Sequence, residues 1–139
     1  MERTLVLIKP DAVGDKHIGD IIKIYEEAGL EIEALKLMRM DNKIAAKHYV
    51  EHITRPYYAE LEEFMTSGNI VAMVIAGKDA ISKVRKLNGA TDPNEAEDGT
   101  VRKLYAKSKG MNAVHASDSD ESAHREIAIF FNAQEIFDA

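Results

Sequence analysis

TLVLI, residues 4–8, is a near-continuous apolar run. A run of that length without alternation suits a central strand buried on both faces. From Gly19, DIIKIYEEAG places Ile21, Ile22 and Tyr25 on one helical face and closes at Gly29. LEIEALKLMRM then alternates well enough for a second strand from Leu30 to about Met40. Asp41 can cap a helix carrying Ile44, Ala45 and His48, and YYAELEEFMTSG repeats the helical pattern through Leu61, Phe64 and Met65. Residues 69–76 form a third strand, and Asp79 can cap AISKVRKLNG. A polar loop leads to a short helix from Thr100, and Asp118 or Ser119 can cap a helix running to about Glu126. IAIFF, residues 127–131, reads as the last strand. The order β-α-β-α-α-β-α-α-β predicts a ferredoxin-like α/β sandwich, a four-stranded antiparallel sheet covered by helices.

With 139 residues and no linker or repeat, the chain is expected to form one domain over residues 1–139. At 45% apolar and 30% charged residues it has the composition of an ordinary globular protein. The absence of cysteine excludes disulfides, thiolate catalysis and Cys-type zinc sites. The charged start MERTLVLIKP does not read as a signal peptide, and IVAMVIA is too short to span a bilayer, so a cytoplasmic location is expected. A formal net charge of −6 argues against a general nucleic-acid binder.

No Walker loop is present. Gly14 and Gly19 have the right separation, but Asp20 stands where lysine is needed, and no GxGxxG occurs. Phosphates, if bound, must be held by side chains. HYVEH, residues 48–52, fits an inverted zinc-peptidase pattern through His48, Glu51 and His52. So short a pattern arises readily by chance, and an exposed helix face is the plainer reading. Lys9, Arg85 and Arg102 stand singly beside strand ends or turns. Lys9 is the least ordinary, because it ends an apolar run and precedes Pro10-Asp11.

Motifs along nearly the whole chain carry a family resemblance. IKPD, YVEHITRPYY, FMTSG, GATDP, GTVR and NAVHASDS occur in order, and together they resemble the nucleoside diphosphate kinases. Ala116 replaces the glycine of that family's N-x-x-H-G-S-D-S signature, and Ala12 and DKHIG depart from it near the first helix. The resemblance implies transfer of a γ-phosphoryl group between nucleotides through a phosphohistidine. It matches His115 to the nucleophile, Glu126 to its hydrogen-bonded carboxylate and Ser117 to the serine beside them. Lys9 and Asn112 match ribose contacts, and Arg85, Thr91 and Arg102 match phosphate ligands, with Tyr49 and His52 nearby. Tyr57 stands where a phenylalanine usually stacks on the base, and Leu61 lies near it. Mg2+ is implied as cofactor, held mainly by the nucleotide phosphates, with Asp118 the carboxylate best placed to reach one of its waters. The family also implies a homo-oligomer, a hexamer or tetramer built from a common dimer.

Two other classes fit parts of the chain. A zinc hydrolase would use His48, Glu51 and His52, whereas a non-catalytic ligand-binding module would use the fold alone. The module leaves His115, Asn112 and Glu126 with no reason to share one stretch.

Overall fold

A computed structural model describes residues 1–139. In chain order it contains β1 (Glu2–Ile8), α1 (Pro10–Gly14), α2 (Ile18–Glu27), β2 (Glu31–Arg39), α3 (Asn42–His48) and α4 (Tyr58–Met65). These are followed by β3 (Asn69–Gly77), α5 (Ala80–Asn88), α6 (Val101–Tyr105), β4 (Val114–Ala116) and α7 (Asp120–Phe130). Short 3-10 turns lie at Pro93–Glu95 and Ala133–Glu135. The strands form one sheet in the order β2-β3-β1-β4, with every neighbouring pair antiparallel. This is the ferredoxin-like arrangement that the element order implies.

The apolar run on β1 has the cause its sequence suggests. Side chains alternate across a strand, so Val6 and Ile8 face one helical layer while Leu5 and Leu7 face the other. β3 divides in the same way, with Val71, Met73 and Ile75 on the first face and Ile70, Ala72 and Val74 on the second. The first face packs against Ala12, Ile21, Tyr25, Ala80, Val84 and Val101, which come from α1, α2, α5 and α6. The second packs against Ala45, Met65 and Phe130 of α3, α4 and α7. Burying one such aliphatic side chain contributes about 1.5–3 kcal/mol. A polar residue at Leu5 or Val74 would therefore damage the sheet itself.

The last strand departs from the sequence reading. Ile127 to Phe130 complete α7, and the fourth strand is the three-residue Val114–Ala116. Periodicity explains the outcome: Ala123, Glu126 and Phe130 fall three and four residues apart and are the buried residues of α7. Ser119 caps this helix, its hydroxyl accepting from the Ser122 N–H at 3.1 Å. Asp79 precedes α5 in a left-handed conformation, with no side-chain cap, so the cap expected there is absent. The five-residue α1, with Pro10 in its first turn, lies where no helix is expected from the pattern.

Candidate active site

β4 decides where His115 points. His115 pairs opposite Leu7, and directly opposed residues share a sheet face. Its ring therefore enters the layer of α3 and α7, while Val114 and Ala116 join the opposite core. There His115 Nε2 meets Glu126 Oε1 at 2.9 Å. The same oxygen accepts the Ser117 hydroxyl at 2.8 Å, and Ser117 Oγ accepts the Leu5 N–H at 3.1 Å. Glu126 and Ser117 are buried, whereas the His115 side chain keeps 23% of its surface. With the carboxylate fixed on Nε2, the neutral imidazole carries its proton there and Nδ1 has a free lone pair.

A second histidine supports the first from the side. His48, the last residue of α3, is buried with its ring edge-on to His115, centroids 4.6 Å apart and planes at 84°. It also packs against Tyr49 and Phe130. Burial, followed by the neighbouring charges of His115, Arg125, Lys9 and His52, pushes its pKa down to about 2.

A cavity of about 290 Å3 opens over this group. Its walls bring together Lys9, Tyr49, His52, Arg85, Thr91, Arg102, Asn112, His115, Asp118 and Glu126 from distant parts of the chain. Lys9 Nζ donates to Asn112 Oδ1 at 2.8 Å, and the Asn112 amide donates to the Thr91 carbonyl at 3.3 Å. Desolvation, and secondarily the charge of Arg102, lowers the Lys9 pKa to about 8. Arg102 donates to the carbonyls of Gly89 at 2.8 Å, Val114 at 2.9 Å and Asn112 at 3.3 Å. Gly89 is needed at that junction: its φ is +85°, and a Cβ there would come within 2.6 Å of Thr100 Oγ1. Arg85 is exposed at the rim. Asp118, also exposed, is held below the usual carboxylate range by the Ser122 hydroxyl and then the Arg85 charge.

Three matched residues lie outside the cavity wall, one of them Ser117, which is buried and bonded to Glu126. Tyr57 is 48% exposed and is tied to the site by a 2.6 Å hydrogen bond between its hydroxyl and His52 Nδ1. Leu61, on α4, packs against the core. His48, Glu51, Ser122 and Arg125 also line the cavity without having been expected there as part of one site with His115. The last two were legible: Ser122 and Arg125 lie four and one residues before Glu126 on the same helix, with Asp118 just ahead of its cap.

The zinc-peptidase pattern does not assemble. α3 ends at His48, so His52 does not continue on its face, and His52 is engaged by Tyr57 instead. The glycine-to-alanine replacement at position 116 is also accommodated, because Ala116 lies in β4 without a positive φ. The left-handed residue of the signature stretch is Ala113, at φ 71°, held by the Asp11 carboxylate on its N–H and the Lys9 N–H on its carbonyl.

The same motifs are those of a family whose model, described as nucleoside diphosphate kinase, matches residues 2–136. The chain belongs to the nucleoside diphosphate kinase family. A nucleoside diphosphate kinase of Cutibacterium acnes is 56% identical over 130 residues, 94% of each chain. That of Methanocaldococcus jannaschii is 51% identical over 99% of this chain and 98% of its own. Among solved structures, the Aquifex aeolicus nucleoside diphosphate kinase has a TM-score of 0.95 at 43% identity, covering 97% of this chain and 98% of its own. The halophilic nucleoside diphosphate kinase of Halobacterium salinarum, solved in complex with CDP, also has a TM-score of 0.95, at 44% identity, over 99% of this chain and 92% of its own. The chain is thus a phosphotransferase with nucleoside diphosphate kinase activity. No helix is long and apolar enough to cross a membrane.

Proposed function

We propose that the chain transfers the γ-phosphoryl group of a nucleoside triphosphate to a nucleoside diphosphate in two steps, through a phosphohistidine on His115, with broad base specificity. The observation that carries this is the 2.9 Å contact of His115 Nε2 with buried Glu126, which leaves Nδ1 facing a cavity lined by cations. In the first step the Nδ1 lone pair attacks the γ-phosphorus. The bond to the β,γ-bridging oxygen breaks, and the diphosphate departs. The Nε2–H stays with Glu126, whose charge stabilises the positive ring. In the second step a terminal oxygen of the acceptor diphosphate attacks that phosphorus, the N–P bond breaks, and the imidazole returns to neutral. One site therefore serves donor and acceptor in turn.

Phosphoryl transfer has a loose transition state, so alignment and charge neutralisation supply most of the catalysis. Arg85 and Arg102 present forked donors to phosphate oxygens, with Thr91, Tyr49 and His52 beside them. Lys9 and Asn112, already joined to each other, hold the ribose hydroxyls. Tyr57 and Leu61 offer the base an aromatic face and an aliphatic neighbour. The cofactor would be Mg2+, which would supply charge neutralisation to the nucleotide's phosphates. The donor set fits that role: Glu126 is occupied by His115 and Ser117, which leaves Asp118 at the rim to bind a magnesium water. The protein works in the cytoplasm as a homo-oligomer built from dimers. The outer strand β2 supports assembly, since it exposes Leu35 and Leu37 along an unpaired edge.

Incubation with γ-labelled ATP tests the mechanism. An acid-labile, base-stable label is expected on one histidine, and His115→Ala is expected to remove label and turnover while the fold persists. Ordinary turnover by His115→Ala would overturn the proposal.

A further inference from the structure

His48 takes no part in the transfer steps, yet its surroundings are unusual for a histidine. It is 4% exposed, and its Nδ1 has no hydrogen-bond partner. Buried polar atoms are nearly always paired, so a bare imidazole nitrogen in a residue of the cavity wall calls for an explanation. One donor atom each of His48, His115 and Glu126 lie within 4.8 Å of one another. They arrive from β4 and from α3 and α7, the helices packed on the sheet face that His115 joins.

We propose that His48, His115 and Glu126 form an inhibitory site for a borderline-soft divalent ion of the Zn2+ class. Two imidazoles and one carboxylate, with a fourth position open to the cavity, are a donor set that zinc favours. Magnesium, which prefers oxygen ligands in octahedral array, is excluded by the same donors. Zinc bonds of about 2.0–2.2 Å in a tetrahedron place donors about 3.3 Å apart. His115 Nε2 and Glu126 Oε1, at 2.9 Å, are already close to that spacing. His48 then has to close by no more than about 1.5 Å from the 4.8 Å limit. This set shares only His48 with the HYVEH pattern; Glu51 and His52 are not ligands.

The inhibitory consequence rests on the phosphohistidine reading. The ion takes the position of the Nε2 proton between His115 and Glu126. That proton is lost to solvent and another is gained at Nδ1, so the ring remains neutral with its tautomer reversed. The nitrogen that attacks phosphorus then has no free lone pair. Lys9, Arg85, Arg102 and Arg125 line the same cavity and weaken the hold on any cation, which makes the inhibition reversible by chelators.

Calorimetric titration of Zn2+ into the full chain, without nucleotide or magnesium, tests the site. Spectra of 15N-labelled imidazoles follow the tautomer. One ion per chain is expected, with the His115 proton moving from Nε2 to Nδ1. His48→Asn and, separately, Glu126→Gln are expected to weaken binding at least about tenfold. Glu51→Ala and His52→Ala should bind zinc as the parent does. Absence of stoichiometric zinc, binding unchanged by both His48→Asn and Glu126→Gln, or binding lost in Glu51→Ala would overturn the site. Using two independent ligand variants guards against one that fails to fold. Zinc-loaded protein should also be labelled by magnesium-ATP more slowly than metal-free protein, and a chelator should restore the rate; unslowed labelling would overturn the inhibitory role. Because the titration contains no nucleotide, its result stands apart from that of His115→Ala.

Discussion

Replacing Glu126 by glutamine separates the charge of the carboxylate from its shape. In the parent, Oε1 accepts from both His115 Nε2 and the Ser117 hydroxyl, at 2.9 and 2.8 Å, while Oε2 faces Arg125 at 3.6 Å. A glutamine oxygen can take the Oε1 position and keep both bonds, but its NH2 group then turns toward the Arg125 cation. The flipped amide instead presents N–H to Nε2 and drives the imidazole proton onto Nδ1. In either orientation the ring loses its negative partner as positive charge develops during attack. A hydrogen bond to a charged group contributes about 1.5–3 kcal/mol. Loss of that charge should therefore slow the first step roughly 10- to 150-fold. Rapid-quench labelling with saturating γ-labelled ATP reads this rate directly, and the final stoichiometry of label should be unchanged. Circular dichroism should report an intact fold, because the side-chain volume is kept. A labelling rate within about threefold of the parent, under 1 kcal/mol, would refute the view that Glu126 stabilises the transition state by its charge.

Lys9 has a folded pKa near 8, below its ordinary 10.5, so in the free protein kcat/KM should fall as pH rises through about 8. Lys9→Arg, which keeps its charge, should remove that limb, and a limb unchanged in the variant would assign it elsewhere. The same shift makes stability increase between pH 8 and 10.5, where the unfolded chain holds the extra proton. His48 acts with the same sign at the acid end. Its pKa near 2, against 6.5 unfolded, means stability is lost as pH falls below 6.5, reaching about 3 kcal/mol at pH 4. His48→Phe should move acid unfolding to lower pH, and an unmoved midpoint would show that other groups govern it. ADP, GDP, CDP, UDP and their deoxy forms should all accept phosphate, since stacking on Tyr57 is tolerant of base identity. A preference above about a hundredfold, roughly 2.7 kcal/mol, would reveal a polar contact to the base.

Legibility in the sequence depends on which interactions are local. β1 and β3 are readable because burial on both faces leaves their centres almost wholly apolar, and the caps at Asp41, Thr100 and Ser119 are readable because their bonds span three residues. β4 is not readable, because three residues contain no period, and its pairing partners in β1 lie more than a hundred positions away. IAIFF misleads for a related reason: a short apolar run fits a strand or the end of a buried helix equally well. The error does not disturb the site. His115 and Glu126 lie in one motif, and the family resemblance pairs them whether the segment after Glu126 is strand or helix. The contact of His48 with His115 was illegible, since α3 is far from β4 in sequence and reaches it only by packing on the sheet to which β4 belongs.

Arg102 has a consequence for the pace of turnover. Three of its N–H groups bond the carbonyls of Gly89, Asn112 and Val114, so one guanidinium staples the loop after α5 to the loop before β4. Those bonds lie wholly within the chain and need no ligand atom to complete them. These two loops are already tied to each other before a substrate arrives, so they have little conformational entropy left to lose on binding. In the proposed two-step cycle, which empties and refills one pocket twice per turnover, such a preformed wall would favour rapid ligand exchange.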